Sequence, residues 1–145
     1  MSREIRKEHL DFLMIEEAKG TEYHNPEDVW KDMKSEAKID RECMWVLHMN
    51  GQNKIIKKEL VAMGKGNAAF ITPREVFRRA IIEGSINIIL VHNHPGGDPT
   101  SSDADIETCK TIKEAGKLLG MPLTDFFVIA QSGYTSFADK GIGGF

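Results

Sequence analysis

The first part of the chain carries apolar residues at helical spacing. A first amphipathic helix, ending around Gly20, is predicted from the recurrence of Ile5, Leu10, Leu13 and Met14. A second helix is predicted to begin with Asn25 as N-cap and Pro26 in its first turn, and to bury Val29, Trp30, Met33 and Ala37. The two helices form a predicted N-terminal helical extension over residues 1–39, ahead of a domain over residues 40–145.

Strand-like segments begin after this extension. Cys43–Met49 and Lys54–Met63 are rich in apolar and β-branched residues, and Asn50-Gly51 between them predicts a tight hairpin. Thr72-Pro73-Arg74-Glu75 has the sequence of a capping box and predicts the start of a helix that ends at Gly84. The buried face of that helix is predicted to hold Val76, Phe77, Ala80 and Ile81.

The second half of the chain repeats this alternation. The continuously apolar segment Ile86–Val91 predicts a strand covered on both faces, and it leads directly into His92-Asn93-His94-Pro95-Gly96-Gly97. Ser101 or Ser102 is expected to cap the next helix, which ends at Gly120. Phe126–Ala130 and Tyr134–Phe137 predict a final hairpin. The order of elements therefore favours an α/β domain.

Composition fits one domain in a reducing compartment. The chain has 145 residues, of which 41% are hydrophobic and 28% charged, and its formal net charge of −3 offers no basic surface for nucleic acid. No apolar segment approaches the roughly 20 residues of a membrane span, and the charged N-terminus does not resemble a signal peptide. The two cysteines, Cys43 and Cys109, are far apart and are interpreted as packing residues. We therefore expect a cytoplasmic protein.

Two histidines and an aspartate form a candidate metal site. His92 and His94 are two residues apart at a strand end, so their side chains project to the same side. Asp105 falls in the first turn of the following helix, three residues after Ser102. Three nitrogen and oxygen ligands leave one position for water, which is the arrangement of catalytic zinc. The sequence thus predicts one zinc ion per chain.

The spacing of these residues resembles a known motif. His92-Asn93-His94-Pro95, followed after six residues by Ser102 and after two more by Asp105, is similar to the JAMM motif of the JAB/MPN metalloprotease superfamily. The Pro95–Thr100 segment resembles more narrowly the bacterial RadC family. Further similarity runs through Pro73–Phe77, Ala115–Gly120 and Tyr134–Phe137, so that the resemblance covers roughly Asp40 to Ile142.

This resemblance implies a fold and a reaction. The expected fold is a three-layer α/β domain with a mixed sheet between helices, as in JAB/MPN and cytidine-deaminase-like proteins. The implied reaction is amide hydrolysis by a zinc-activated water, with a peptide or protein substrate. His92, His94 and Asp105 match the zinc ligands of the family, and Ser102 matches the serine that hydrogen-bonds the developing oxyanion. Glu42, in Arg41–Trp45, resembles the glutamate that shuttles the proton.

Several assignments have alternatives. Chemistry alone also allows Glu36, Glu59, Glu75 or Glu83 as the general base, and Glu42 is preferred because it begins a strand that can lie beside the metal-bearing one. Ser102 competes with the ordinary role of a helix N-cap, unless Ser101 takes that role. His48 is interpreted as a satisfied core or edge histidine. Trp30 is interpreted as packing against the sheet.

Substrate binding and the whole-protein role are expected only in outline. The exposed edge of the first hairpin, Lys54–Lys58, is a candidate for pairing with substrate as an added strand. The chain has Asp125-Phe126 where many members of the family have Asp-His, and the segment before Asp40 does not resemble the helix-hairpin-helix region of larger members. The competing hypotheses are a DNA-repair-associated accessory or binding module with a structural metal, and a zinc nuclease, which a single metal disfavours.

Overall fold

The structure, a computed structural model, describes residues 15–17, 20–64 and 71–145. Its elements are β1 (Ile15–Glu17), α1 (Pro26–Met33), a 3₁₀ helix (Lys34–Lys38), β2 (Glu42–Met49), β3 (Ile55–Gly64), α2 (Pro73–Glu83), β4 (Asn87–Asn93), α3 (Asp103–Leu119), β5 (Leu123–Ala130), β6 (Gly133–Ser136) and α4 (Phe137–Lys140). Within these ranges, no helix combines the length and the apolar character needed to cross a bilayer.

The strands form one mixed sheet. In the part of the chain that the structure describes, six strands lie in the order β1-β3-β2-β4-β5-β6. Only β4 and β5 are parallel, and α3 is the helix that connects them, as a parallel crossover requires. All other neighbouring strands are antiparallel. The predicted mixed sheet is therefore confirmed.

Helices cover both faces of the sheet. On one face, Met44, Leu90 and Val128 share a buried cluster with Phe77 of α2 and Ile112 of α3. On the other face, the residues that alternate with these, including Trp45, Val91 and Ile129, share a second cluster with Val29 and Met33 of α1. Because strand side chains alternate between faces, β2, β4 and β5 each supply both clusters. The three-layer α/β architecture is confirmed.

The helix boundaries follow their capping sequences. Asn25 Oδ1 accepts the Asp28 N–H at 3.0 Å, with Pro26 as the first helical residue. The Thr72 N–H donates to Glu75 at 2.9 Å, which completes the predicted capping box of α2. Gly84 ends α2 and Gly120 ends α3, both in the left-handed conformation that other residues rarely adopt. These local predictions are confirmed.

The N-terminal region differs from its prediction. The predicted helical residues Ile5–Met14 lie outside the described residues, but Ile15–Glu17, where that helix was expected to continue towards Gly20, is a strand. This strand pairs with Lys57–Glu59 of β3, and Glu22 bridges Lys54. The hairpin edge proposed for an added substrate strand is therefore occupied by the chain's own residues. The boundary at residue 40 stays a prediction.

The first hairpin has a longer turn than predicted. Its strands end at Met49 and resume at Ile55, and the Asn50 N–H donates to the Lys54 carbonyl at 2.9 Å. Asn50 Oδ1 accepts the N–H groups of Gln52 and Lys54 at 2.8 and 3.1 Å. The asparagine side chain thus closes a wider loop, because it supplies an acceptor that a two-residue turn would take from the backbone.

His48 and both cysteines are buried packing residues. His48 is fully buried, and its ring nitrogens lie 3.0 Å from Ser85 Oγ and 2.9 Å from Glu59 Oε1. Burial raises the pKa of Cys43 to about 11 and that of Cys109 to about 12, so neither thiol ionises readily. Trp30 stacks on Tyr134 at 5.6 Å between ring centroids. The packing interpretations of these residues are confirmed.

Candidate metal centre

The predicted metal ligands converge at the end of β4. His92 lies in the strand, and its side chain points to the face covered by α3, where Asp105 occupies the first turn. His94 follows the strand, and its N–H donates to the Ile129 carbonyl of β5 at 2.8 Å. The Asp105 side chain is fully buried, the His92 side chain is 3% exposed, and the His94 side chain is 18% exposed. Of these three side chains, that of His94 is therefore the most exposed to solvent.

Asp105 bridges the two imidazole rings. His92 Nδ1 lies 2.8 Å from Asp105 Oδ1, and His94 Nε2 lies 3.1 Å from Asp105 Oδ2. The Ser102 N–H also donates to Asp105 Oδ2 at 2.9 Å. The rings stand perpendicular to each other with centroids 5.0 Å apart. The carboxylate is thus within hydrogen-bond distance of both histidine rings.

This bridge favours an ionised carboxylate. Burial alone would raise the pKa of Asp105, but hydrogen bonds from His92, His94 and the Ser102 backbone outweigh it and hold the pKa of the carboxyl well below its usual range. The hydrogen bond to Asp105 in turn raises the pKa of His94, against the effect of its partial burial. The site concentrates negative charge between two nitrogen ligands, which suits a divalent cation.

Glu42 completes the cluster from the neighbouring strand. It is the first residue of β2, and it lies on the same face as Met44, which is directly opposite His92 in the register. Glu42 Oε1 is 3.7 Å from His92 Nε2, and the Glu42 side chain is 30% exposed. Ligand atoms of Glu42, His92 and His94 all lie within 4.8 Å of one another. Glu42, the residue preferred as general base, therefore lies next to both histidines and is partly exposed to solvent.

The four alternative glutamates have partners elsewhere. These partners are Lys58 for Glu36, His48 for Glu59, the Thr72 N–H for Glu75, and Lys57 for Glu83. Glu42 is the one carboxylate among the five candidates that the structure brings to the histidines. Glu42 was predicted to begin a strand beside the metal-bearing one. The register between β2 and β4 brings the start of β2 to the end of β4, where the histidines lie.

Asn93 is a residue of this site that the sequence argument missed. It lies between the two histidines, is fully buried, and points to the opposite face of the sheet. Its Oδ1 accepts the Cys43 N–H at 2.6 Å, and its Nδ2 donates to the carbonyls of Arg41 and Ile39 at 2.8 and 3.3 Å. The Asn93 side chain therefore holds the backbone on both sides of Glu42. An asparagine ending an otherwise apolar strand was the available signal.

Ser102, and not Ser101, is the N-cap of α3. Its Oγ accepts the Asp105 N–H at 3.1 Å. Capping uses a lone pair of the hydroxyl oxygen and leaves the hydroxyl proton available, and Ser102 is exposed. The alternative that Ser101 caps the helix was wrong. It was suggested because the N-cap role was thought to prevent Ser102 from stabilising an oxyanion, but the two roles use different parts of the hydroxyl group. One hydroxyl is able to cap the helix and to donate to a ligand.

The loop between His94 and α3 is fastened at several points. His94 Nδ1 lies 3.1 Å from the Asp98 carbonyl, which fixes the orientation of the ring. Ser132 Oγ donates to the Gly97 carbonyl and Thr135 Oγ1 to the Pro99 carbonyl, each at 2.6 Å. The β5–β6 hairpin therefore positions the loop that carries the histidine ring.

The structure explains why Phe126 is accommodated where many members of the family have a histidine after the aspartate. Asp125 is buried and accepts hydrogen bonds from Ser136 Oγ at 2.6 Å and from the Ala138 N–H at 3.0 Å. Phe126 is buried against Phe137, with ring centroids 4.6 Å apart. The phenylalanine thus serves as a packing residue of the core, and Asp125 fastens β5 to α4.

Comparison with known proteins agrees with this arrangement. The RadC-like JAB domain matches residues 23–142, which extends further towards the N-terminus than the resemblance from Asp40 onwards. A UPF0758 protein of Methanosarcina mazei is 38% identical over 118 residues, which are 81% of this chain and 52% of the relative. A UPF0758 protein of Pelodictyon phaeoclathratiforme is 47% identical over 102 residues, which are 70% of this chain and 46% of the relative. The chain spans about half the length of these curated relatives. It belongs to the RadC-like JAB domain family.

Proposed function

We propose that the chain is a zinc-dependent hydrolase of the JAMM type that cleaves peptide or isopeptide bonds. The observation that carries the proposal is the placement of Glu42 Oε1 3.7 Å from His92 Nε2, with ligand atoms of Glu42, His92 and His94 within 4.8 Å. A partly exposed carboxylate beside two imidazoles is the arrangement that a metal-assisted hydrolysis needs, because it combines ligands with a general base.

The donor set fits zinc. Two imidazoles and one carboxylate are typical ligands of catalytic zinc, and we assign them to His92, His94 and Asp105 as the family motif implies. When bound, zinc lowers the pKa of a coordinated water to about 7 and polarises the scissile carbonyl. The ionised Asp105 carboxylate supports this assignment because a cation requires deprotonated ligands.

Glu42 and Ser102 supply the remaining chemistry. In the proposed reaction, Glu42 accepts a proton from the attacking water as the oxygen bonds to the carbonyl carbon. Glu42 then returns that proton to the leaving nitrogen as the C–N bond breaks. The free hydroxyl proton of Ser102 donates to the oxygen on which negative charge develops. Both side chains reach solvent, so a substrate has access to them.

A binding module with a structural metal is the second candidate. The observation that favours it is the burial of His92 and Asp105, since a structural metal is enclosed by its ligands. A role in DNA repair, which the family's name suggests, has no support from charge, because acidic residues number 22 and basic residues 19. The same charge balance disfavours a nuclease.

The experiment is cleavage of a quenched peptide library by zinc-loaded protein, with metal content measured on the same samples. The hydrolase proposal predicts about one zinc per chain, turnover that a chelator abolishes and zinc restores, and loss of both zinc and turnover in His92→Ala. Zinc binding without cleavage of any peptide would favour the binding module. Failure to bind zinc after loading would contradict both candidates.

A further inference from the structure

A cleft lies between α2 and β3, away from the candidate metal centre. Its volume is about 430 Å³, and three arginines of α2, Arg74, Arg78 and Arg79, line one side. Val61 of β3 provides an apolar contact on the other side. We call this feature the arginine cleft. It combines an oxyanion-binding side with an aliphatic side.

Two of the three arginines of the cleft have no ion-pair partner among the described residues. Arg74 and Arg78 are exposed and one helical turn apart, so their like charges repel, and no ion pair of either is found among the described residues. The Nε of Arg79 is buried and has no hydrogen-bond partner there. Its Nη1 lies 3.7 Å from Glu83, which also pairs with Lys57 at 3.0 Å. Buried donors are rarely left unsatisfied, so an unpaired guanidinium nitrogen points to a missing acceptor.

The carboxylates that line the cleft are already engaged. Glu59 Oε1 lies 2.9 Å from His48 Nε2, and Glu75 accepts the Thr72 N–H in the capping box. Neither carboxylate has an ion pair with the arginines. Among the described residues, Arg74, Arg78 and the Nε of Arg79 are therefore left without an acceptor, which leaves the two exposed guanidinium groups available to a ligand.

We propose that the arginine cleft binds an acidic peptide segment in which Asp or Glu residues stand beside an aliphatic residue. Guanidinium groups form bidentate, charge-assisted hydrogen bonds with carboxylates, and a one-turn spacing presents two such groups on one helix face. The aliphatic neighbour packs on Val61. This binding goes beyond the proposed hydrolysis and does not depend on it.

A peptide fits the cleft better than a nucleic acid. Glu59 and Glu75 stand in the lining, where they repel a continuous phosphate backbone. The chain carries a net charge of −3, and three arginines neutralise too few phosphates for strong non-specific binding. Isolated carboxylates on a flexible chain are able to reach the arginines and avoid both glutamates.

The arginine cleft and the candidate metal centre lie on the same side of the sheet. α2 and α3 cover the same sheet face, the one that bears His92. Val61 is three residues before Gly64, which pairs with Glu42. Three strand residues span about 10 Å, so one extended peptide is long enough to contact both places.

The test is direct binding to the full chain without added zinc. The probe is a rhodamine-labelled, C-amidated octapeptide of alternating Glu and Leu, measured by fluorescence anisotropy. The proposal predicts binding that weakens with salt, at least 10-fold weaker binding of the matched Gln-Leu peptide, and about 10-fold losses in Arg74→Ala and in Arg78→Ala. Lys110→Ala, which removes an exposed charge on α3, is the matched control and keeps wild-type affinity.

Three results would overturn the proposal. One is equal affinity for the Glu-Leu and Gln-Leu peptides, and a second is wild-type affinity in the Arg74→Ala/Arg78→Ala double variant. A single-stranded oligonucleotide that displaces the peptide at lower concentration would also overturn it in favour of a nucleic-acid surface. Because both arginines are exposed, thermal unfolding of the variants is expected to match wild type, which separates loss of binding from loss of fold.

Discussion

The Cys43 N–H donates a 2.6 Å hydrogen bond to Asn93 Oδ1, across the boundary between β2 and the end of β4. The Nδ2 of the same Asn93 side chain donates to the Arg41 carbonyl at 2.8 Å. Glu42 stands between the two anchored backbone groups, and its side chain faces the histidines on the opposite side of the sheet. The residue between the two candidate ligands thus fixes the strand that carries the candidate base.

Asn93→Ala is therefore expected to destabilise the fold and to displace Glu42. The substitution removes the acceptor of the buried Cys43 N–H, which costs about 1–3 kcal/mol, and the donor to the Arg41 carbonyl. Zinc stoichiometry should stay near that of wild type, while kcat falls more than KM rises. Urea unfolding, chelator competition and steady-state kinetics measure these quantities. Asn87→Ala is the control, because Asn87 lies on the same strand and makes a single side-chain bond, to Thr124.

Asp105→Asn tests the bridge between the histidines. The asparagine side chain has one acceptor oxygen in place of two, so it keeps at most one of the bonds from His92 Nδ1 and His94 Nε2, and the ligand charge is lost. We expect at least 10-fold weaker zinc binding and about 2–3 kcal/mol lower stability of the metal-free protein. Asp103→Asn, in the same helical turn, should change neither quantity by much. Equal zinc affinity of the two variants would contradict the role assigned to Asp105.

Ser102 is predicted to have two separable roles. Ser102→Ala removes the N-cap of α3 and should cost about 1 kcal/mol, whereas Ser102→Gly should cost only a few tenths. Both variants lack the hydroxyl and should lose about 10²–10³-fold in kcat. Ser101→Ala should be close to wild type in both respects, since Ser101 does not cap the helix. Full turnover in Ser102→Gly would show that the hydroxyl acts only as a cap.

Asp125 predicts a pH dependence of stability. Burial raises the pKa of this carboxyl, and the hydrogen bonds from Ser136, Ala138 and Phe126 only partly oppose it. The folded state therefore binds a proton at higher pH than the unfolded state, and wild type gains stability as pH falls from neutral through the raised pKa. Asp125→Asn lacks this gain. Urea unfolding of both proteins at a series of pH values gives the difference, and a pH-independent difference would contradict the prediction.

Local sequence signals predicted much of the fold because caps and periodicity act over a few residues. Asn25, Thr72 and Gly120 mark helix ends that the structure reproduces. The strand at Ile15–Glu17 was missed because its stability comes from pairing with Lys57–Glu59, some forty residues away in the chain. A helical period in the preceding residues carried no information about that partner.

The candidate site was predictable to the extent that its residues are close in sequence. His92, His94, Ser102 and Asp105 lie within one strand–loop–helix unit, so spacing and motif resemblance were enough. The contacts of Asn93 with Arg41 and Cys43 span about fifty positions and depend on the β2–β4 register. Such a contact is set by the sheet and not by any local pattern.

The most direct test of the central claim compares wild type with Glu42→Gln, using Glu107→Gln on the exposed part of α3 as control. Zinc content and peptide cleavage are measured on the same preparations. The account predicts about one zinc per chain in all three proteins, with turnover reduced at least 10²-fold only in Glu42→Gln. Wild-type turnover in Glu42→Gln with its zinc retained would contradict the assignment of Glu42 as the general base, and with it the proposed mechanism.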